Sequence, residues 1–313
     1  METETTERRN GLVLSGGGFL GIRQMGQIVE LAYQGRRYDV IVGNSIGALN
    51  GAFLAQYDKE DQGKATVDLM SLWLDEKVVC NRALRRKQLG LLGRIWILFY
   101  LAGVFKKSIY NSRGIRKLLA DNIDFDKLRH SKVHFACPVV ELTTGELHTV
   151  SNRHIENTAE CLLNGVVGSS AFPGLLTPHE DEARGLWVDG GLREVTPLGY
   201  AIKQGCTSID VLHLGPTRLP TWKGHNALEI AMRALEIQSH EVMENDIATC
   251  ATRNRLAARY RTDDKLIELN VIRPVLPISV EAFDFDAPRS RRSKEIVEGR
   301  QDVRAYFSQR KVP

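Results

Sequence analysis

The chain has 313 residues, 43% of them hydrophobic and 26% charged, a composition that excludes a disordered protein and suits one large domain or two ordinary ones. Its net charge of +4 is far from the strongly basic balance of dedicated nucleic-acid binders, and its five scattered cysteines form no CxxC pair, which argues against a disulfide framework or a zinc site. METETTERRN at the start carries charges throughout and lacks the apolar core of a secretory signal, so a cytoplasmic protein is expected.

In chain order, GLVLS reads as a strand. Glycines follow at 16, 17, 18 and 21, and a helical pattern runs from Phe19 to Tyr33, with Gly35 placed to stop it. YDVIVG supplies a second short strand and IGALNGAFLAQY a second helix, which leaves Gly43, Asn44 and Ser45 in a very tight turn. Two parallel strands joined by a helix begin an α/β fold. VHFACPVVEL and SIDVLHLG read as strands, with a helix over 158–167 between them. Residues 225–261 read as one long helix or two consecutive ones, LIELNVI as a strand, and 293–308 as a last helix.

Gly16, Gly18 and Gly21 satisfy the glycine spacing of a dinucleotide-binding fingerprint, which also requires an acid closing the second strand. The nearby acid, Asp39, precedes that strand, and the closing position holds GNSIG instead. Gly43-x-Ser45-x-Gly47 directly after an apolar strand is the setting of a nucleophile elbow, although the pentapeptide also occurs as an ordinary turn. In that setting the glycine loop, which ends the neighbouring strand, can place its backbone N–H groups beside Ser45 as donors to an oxyanion. A serine needs a base. His213, His225 and His240 sit in no recognisable loop motif and read as structural or solvated. Asp189, after the apolar run LWV and before Gly190 and Gly191, can reach Ser45 unaided, or it belongs to a plain Asp-Gly turn.

Taken in order, GGGFLG, GNSIG and DGG resemble the patatin-like phospholipase family, and SIYNSRGIRKLLADNIDFDKLR, ELTTGELHTVSN and GSSAFPGLLTP look like its connecting segments. The resemblance implies a three-layer α/β/α fold with a central, mostly parallel sheet. It implies a catalytic core over 10–215, with 75–110 as a cap or membrane-interface insertion, and a mainly helical part over 216–313 packed on the core. By the same resemblance Ser45 is the nucleophile, Asp189 its dyad partner, and Gly16, Gly17 and Gly18 the oxyanion loop. Gly21, Gly43, Gly47, Gly190 and Gly191 support these motifs, and no metal or cofactor is implied. A free carboxylate is a feeble base toward a serine hydroxyl, so burial of Asp189 is required. One departure is Leu20, where family members commonly carry Arg or Lys.

The most hydrophobic stretch, QLGLLGRIWILFYLAGVF at 88–105, is interrupted by Arg94 and is too short to cross a bilayer; it reads either as an interfacial or cap helix or as buried core. RSRRSK at 289–294 reads as solvated surface, with a lipid-headgroup site as the alternative. The expected function is hydrolysis of lipid carboxylic esters at a membrane surface, as a phospholipase A or lysophospholipase. A general esterase or lipase, and a latent effector or scaffold awaiting an activating protein or ligand, stand as alternatives. The basic clusters lack interleaved aromatics, so no nucleic acid is expected as a partner.

Overall fold

The computed structural model describes residues 8–75, 108–110, 112–154, 156–181, 185–216, 219, 221–222, 227–260, 266–280 and 287–310. The 88–105 stretch and His225 lie outside the described residues, as does nearly all of the 75–110 insertion.

Strand β1 (Asn10–Leu14) leads through a 3₁₀ turn, Gly18–Leu20, into α1 (Gly21–Tyr33). Gly35, at φ 78°, ends that helix in the left-handed conformation that glycine adopts without strain. Next come β2 (Val40–Gly43), α2 (Ile46–Ala55), α3 (Gln62–Leu74), β3 (Ser108–Tyr110), α4 (Arg113–Asn122) and α5 (Phe125–His130). β4 (His134–Glu141) and β5 (Leu147–Ser151) form a hairpin, followed by α6 (Ala159–Ser169), whose first turn is capped by the Thr158 side chain. Short strands β6 (Gly174–Leu176) and β7 (His179–Asp181) precede β8 (Gly185–Asp189), α7 (Leu198–Lys203) and β9 (Ser208–Leu212). The chain continues with a single long helix, α8 (Ala227–Tyr260), then β10 (Glu268–Ile272) and α9 (Arg289–Arg310).

The central sheet runs β10-β9-β1-β2-β4-β8-β7, with β5 also paired to β4, and β3 and β6 form a separate pair. β10, β9, β1, β2 and the start of β4 are mutually parallel. Their side chains alternate between two buried faces, as a sheet covered on both sides requires. Leu12, Leu14, Ile41 and Phe135 pack with α1, α2, α3 and α6 on one face. Val13, Val42 and Val211 pack with Leu198 and Ala201 of α7 and Cys250 of α8 on the other. Each such fully buried aliphatic or aromatic side chain contributes roughly 1.5–3 kcal/mol. The layering is the three-layer α/β/α arrangement that the sequence implies.

Strand β4 positions the site. Its residues 134–136 pair with β2, 136–140 with β5, and 139–141 with β8. A strand has two edges, so the overlaps at 136 and at 139–140 place β5 on one edge and both β2 and β8 on the other. β2 runs parallel to β4 and β8 antiparallel, so their C-terminal ends, Gly43 and Asp189, approach each other head-on along one edge.

The C-terminal region is built into this body. β10 extends the sheet beyond β9, and α9 lies along α1 at backbone contact: a Cβ on Gly299 would stand 2.2 Å from the Arg23 carbonyl oxygen. Arg23, only 1% exposed, donates from Nε and Nη2 to Asp302 at 2.7 and 2.9 Å and from Nη1 to Glu295 at 3.1 Å and to Glu298. Asp302 also accepts from Gln27 and from the Val275 N–H, and Glu295 from the Ser279 N–H. The 289–294 run departs from the expected solvated surface at one residue. Arg292 is fully buried and donates from Nη1 to the Trp73 carbonyl at 2.7 Å, in the last turn of α3, where the helix dipole favours a cation. Replacing Arg23 by Met would strand the buried Glu295 and Asp302 carboxylates; a loss of about 3–5 kcal/mol is expected from urea denaturation at neutral pH.

Candidate active site

Ser45 occupies the turn between β2 and α2 at φ 53°, ψ −121°, the only non-glycine residue with positive φ among the described residues. Such a conformation costs on the order of 1–3 kcal/mol and persists only where the surroundings enforce it. Here the enforcement is close backbone approach. A Cβ on Gly43 would lie 2.1 Å from the Gly47 carbonyl oxygen, and one on Gly47 would lie 2.4 Å from that of Leu14. Both glycines of the motif are therefore steric requirements, and the half-buried Ser45 side chain is presented at the start of a helix.

Asp189, 3% exposed, ends β8 and meets this turn. Its Oδ1 accepts from Asn44 Nδ2 at 3.0 Å and from the Gly191 N–H at 2.8 Å. The Asn44 amide is itself oriented. Ser169 Oγ, at the end of α6, accepts from the Ser45 N–H at 3.1 Å and donates to Asn44 Oδ1 at 3.3 Å, which turns the Asn44 NH₂ toward Asp189. Burial pushes the Asp189 carboxyl up to about 6; hydrogen bonds from the Gly191 N–H, the Ser45 side chain and Asn44 oppose that shift by favouring the ionised form.

The glycine loop closes the third side. Its residues divide by partner, because the Gly16 N–H donates to the Val195 carbonyl at 3.2 Å, whereas no acceptor among the described residues meets the N–H groups of Gly17 and Gly18. These two begin the 3₁₀ turn that runs into α1, where N–H groups lack intrahelical partners and the dipole favours negative charge. Gly190 and Gly191 pack against Asn44, and Gly21 against Ile46.

These groups open onto a cavity of about 690 Å³. One wall is apolar, formed by Leu49, Phe53, Leu69, Trp73 and Leu119 from α2, α3 and α4. Phe19 and Trp73 meet edge to face there, with ring centroids 5.6 Å apart. His213 and His240 also line the cavity. Burial, with Arg273 and His240 nearby, pushes His213 down to about 3, so its ring is neutral. Neither of its ring nitrogens has a partner among the described residues, and Asp189 is met by Asn44, Gly191 and Ser45 rather than by an imidazole. No group of three or more His, Cys, Asp or Glu side chains among the described residues is placed to hold a metal ion, and no helix among them is long and apolar enough to cross a membrane.

Ser45, Asp189 and the glycine loop are thus brought to one place, as the motif order suggests. Sequence reasoning passed over Asn44 and Ser169. Asn44 stands at the variable position of Gly-x-Ser-x-Gly, where the motif makes no demand, and Ser169 lies within GSSAFPGLLTP with nothing local to mark it.

A serine at a strand–turn–helix elbow, at the C-terminal edge of a sheet covered on both faces, places the chain among α/β proteins of the nucleophile-elbow type. Within that class it belongs to the patatin-like phospholipase family: the sequence profile described as Patatin-like phospholipase matches residues 12–202. The chain is similar to lysophospholipase nte1 of Aspergillus terreus, with 29% identity over 189 residues, and to lysophospholipase NTE1 of Mycosarcoma maydis, with 23% over 209. Those stretches cover 59% and 66% of this chain but only 10% of each relative. Among solved structures, VipD from Legionella pneumophila aligns with 97% of this chain and 67% of its own at 16% identity, with a TM-score of 0.48.

The raised Asp189 carboxyl has a stability consequence of definite sign. The folded state binds this proton more tightly than the unfolded state, so stability falls as pH rises from about 4, the usual carboxylate range, through about 6. Asp189→Asn removes that dependence. The difference in unfolding free energy between variant and wild type is expected to shift in favour of the variant by roughly 2 kcal/mol between pH 4 and pH 7, read from urea titrations at both values.

Proposed function

We propose that the chain hydrolyses carboxylic esters of lipids drawn from a membrane surface, as a phospholipase A or lysophospholipase, with Ser45 and Asp189 as a catalytic dyad. The observation that carries the reading is the buried Asp189 carboxyl beside the strained Ser45 elbow at an apolar cavity. The names of the two lysophospholipase relatives agree with it.

In this mechanism Ser45 Oγ attacks the ester carbonyl carbon as its proton passes to the Asp189 carboxylate. Negative charge develops on the carbonyl oxygen, and the Gly17 and Gly18 N–H groups receive it, each such donor contributing about 3–4 kcal/mol. Collapse of the tetrahedral intermediate breaks the C–O bond, and the leaving alkoxide takes the proton from Asp189. Water then attacks the acyl-enzyme and gives its proton to Asp189; collapse of the second tetrahedral intermediate breaks the acyl–Oγ bond, Asp189 returns the proton to Ser45 Oγ, and the fatty acid leaves. A carboxylate titrating near 6 is a stronger base than a solvated one and remains ionised at neutral pH. Gly16 serves by a different route from the one its sequence suggests: its N–H is committed to Val195, so its place is to anchor the loop. The apolar wall suits the acyl chain.

Fatty-acid release from lysophospholipid and mixed phospholipid vesicles tests the reading. Wild type is expected to release fatty acid, and Ser45→Ala and Asp189→Ala to lose on the order of 10³-fold or more in kcat. Hydrolysis of a short soluble ester alone would replace the lipid substrate by a general one, and silence on both would refute the enzyme reading. The pH profile provides a separate check. kcat/KM is expected to rise tenfold per pH unit at acid pH and to level near pH 6, because the base must be ionised.

A further inference from the structure

Gln24 on α1 lies beneath the glycine loop, 0% exposed, and its Nε2 donates to the Ser15 carbonyl at 3.2 Å and the Leu212 carbonyl at 3.4 Å, the last residues before the loop and of β9. Its orientation is dictated from the far side. An indole N–H can only donate, so Trp73 Nε1 takes Asn50 Oδ1 at 3.0 Å. Asn50 must then present Nδ2 to Gln24 Oε1, also at 3.0 Å, and Gln24 is left with its NH₂ directed at the two carbonyls. Every amide in this buried chain has one satisfying orientation.

A second contact acts on the next peptide. Ser15, also 0% exposed, accepts the Leu214 N–H on Oγ at 3.0 Å and donates its hydroxyl proton to the Gly16 carbonyl at 3.1 Å. Because the peptide unit is planar and trans, holding the Gly16 carbonyl fixes the direction of the Gly17 N–H. The Ser15–Gly16 peptide is likewise held at both ends, by Gln24 on its carbonyl and by Val195 on its N–H.

We propose that Ser15 and Gln24 are positioning residues for the reaction: they lock the peptide planes of the glycine loop so that the Gly17 N–H is preset toward the oxyanion, with Asn50 and Trp73 setting the orientation of Gln24. The inference rests on the functional reading above. Neither Ser15 nor Gln24 is among the residues that line the cavity, so their effect on turnover does not come from lost substrate contact. It also connects α3, which forms part of the apolar wall, with the loop that receives the developing charge.

Ser15→Ala and Gln24→Leu test this with lysophospholipid vesicles and a soluble p-nitrophenyl ester, active sites being counted with a fluorophosphonate so that misfolded protein is not scored. kcat per titrated site is expected to fall by about tenfold or more on both substrates, with KM held within about twofold. A loss confined to the number of titrated sites, or to KM, would make the two residues merely structural and overturn the proposal. Crystal structures of the variants give a readout independent of activity. A rotated Gly16–Gly17 plane in Ser15→Ala and a rotated Ser15–Gly16 plane in Gln24→Leu support the inference, and a plane left unchanged overturns it for that residue. If wild type and Ser45→Ala hydrolyse equally, the functional reading fails, and the peptide plane still decides whether Ser15 and Gln24 set the loop.

Discussion

The Asn44–Asp189 hydrogen bond joins two segments 145 residues apart in the chain, and the rest of the site is arranged around it. It depends on an unusual use of one strand edge. β4 gives its first residues to a parallel neighbour and its last to an antiparallel one on the same side. Two strand ends therefore meet where an ordinary ladder would continue, and the polar groups at both ends need partners inside the fold. Asn44, Ser169 and the Gly191 N–H supply them. Asp189 is consequently dry without being isolated. Desolvation raises its proton affinity, and three hydrogen bonds keep the ionised form accessible.

Much of this was legible in the sequence because it is local. GNSIG and the glycine loop announce backbone constraints that side chains would violate, and the apolar runs at 11–14 and 40–43 announce a buried parallel sheet. A hydrophobic pattern near 227–260 fixes a helix but not its continuity; the structure makes it one helix. What was not legible is long-range. Nothing near Ser169 signals that its hydroxyl orients an amide 125 residues away. Nothing in RSRRSK distinguishes Arg292, which runs into the core to reach Trp73, from its exposed neighbours. The commitment of the Gly16 N–H to Val195 depends on a loop that follows the third motif, so three consecutive glycines that look equivalent in sequence differ in partner.

The interior also carries several polar clusters. Arg23 with its carboxylates, the Trp73–Asn50–Gln24 chain and the Asn44–Ser169–Asp189 cluster all lie in or beside the large apolar cluster. Buried polar groups contribute little net stability even when satisfied, but they reject alternative packings more sharply than methyl groups do. α9 is attached to α1 through Arg23 and β10 to β9 through the Asn270–Asp210 bond, and each polar partner fixes a direction as well as a distance.

The pairing of β4 with β8 also bears on how such a chain can diverge. Asp189 faces Val139 through strand register, and everything between residues 142 and 184 is an excursion that leaves one end of β4 and returns to it. The exposed turn at 142–146 can lengthen while the acid stays at its address, whereas α6 is tied to the site by Ser169. A slip of a single residue between the two strands would turn the carboxylate to the opposite face of the sheet. Lineages carrying this fold are thus free to remodel the loops around the site and are held to parity in the one short ladder that delivers the acid.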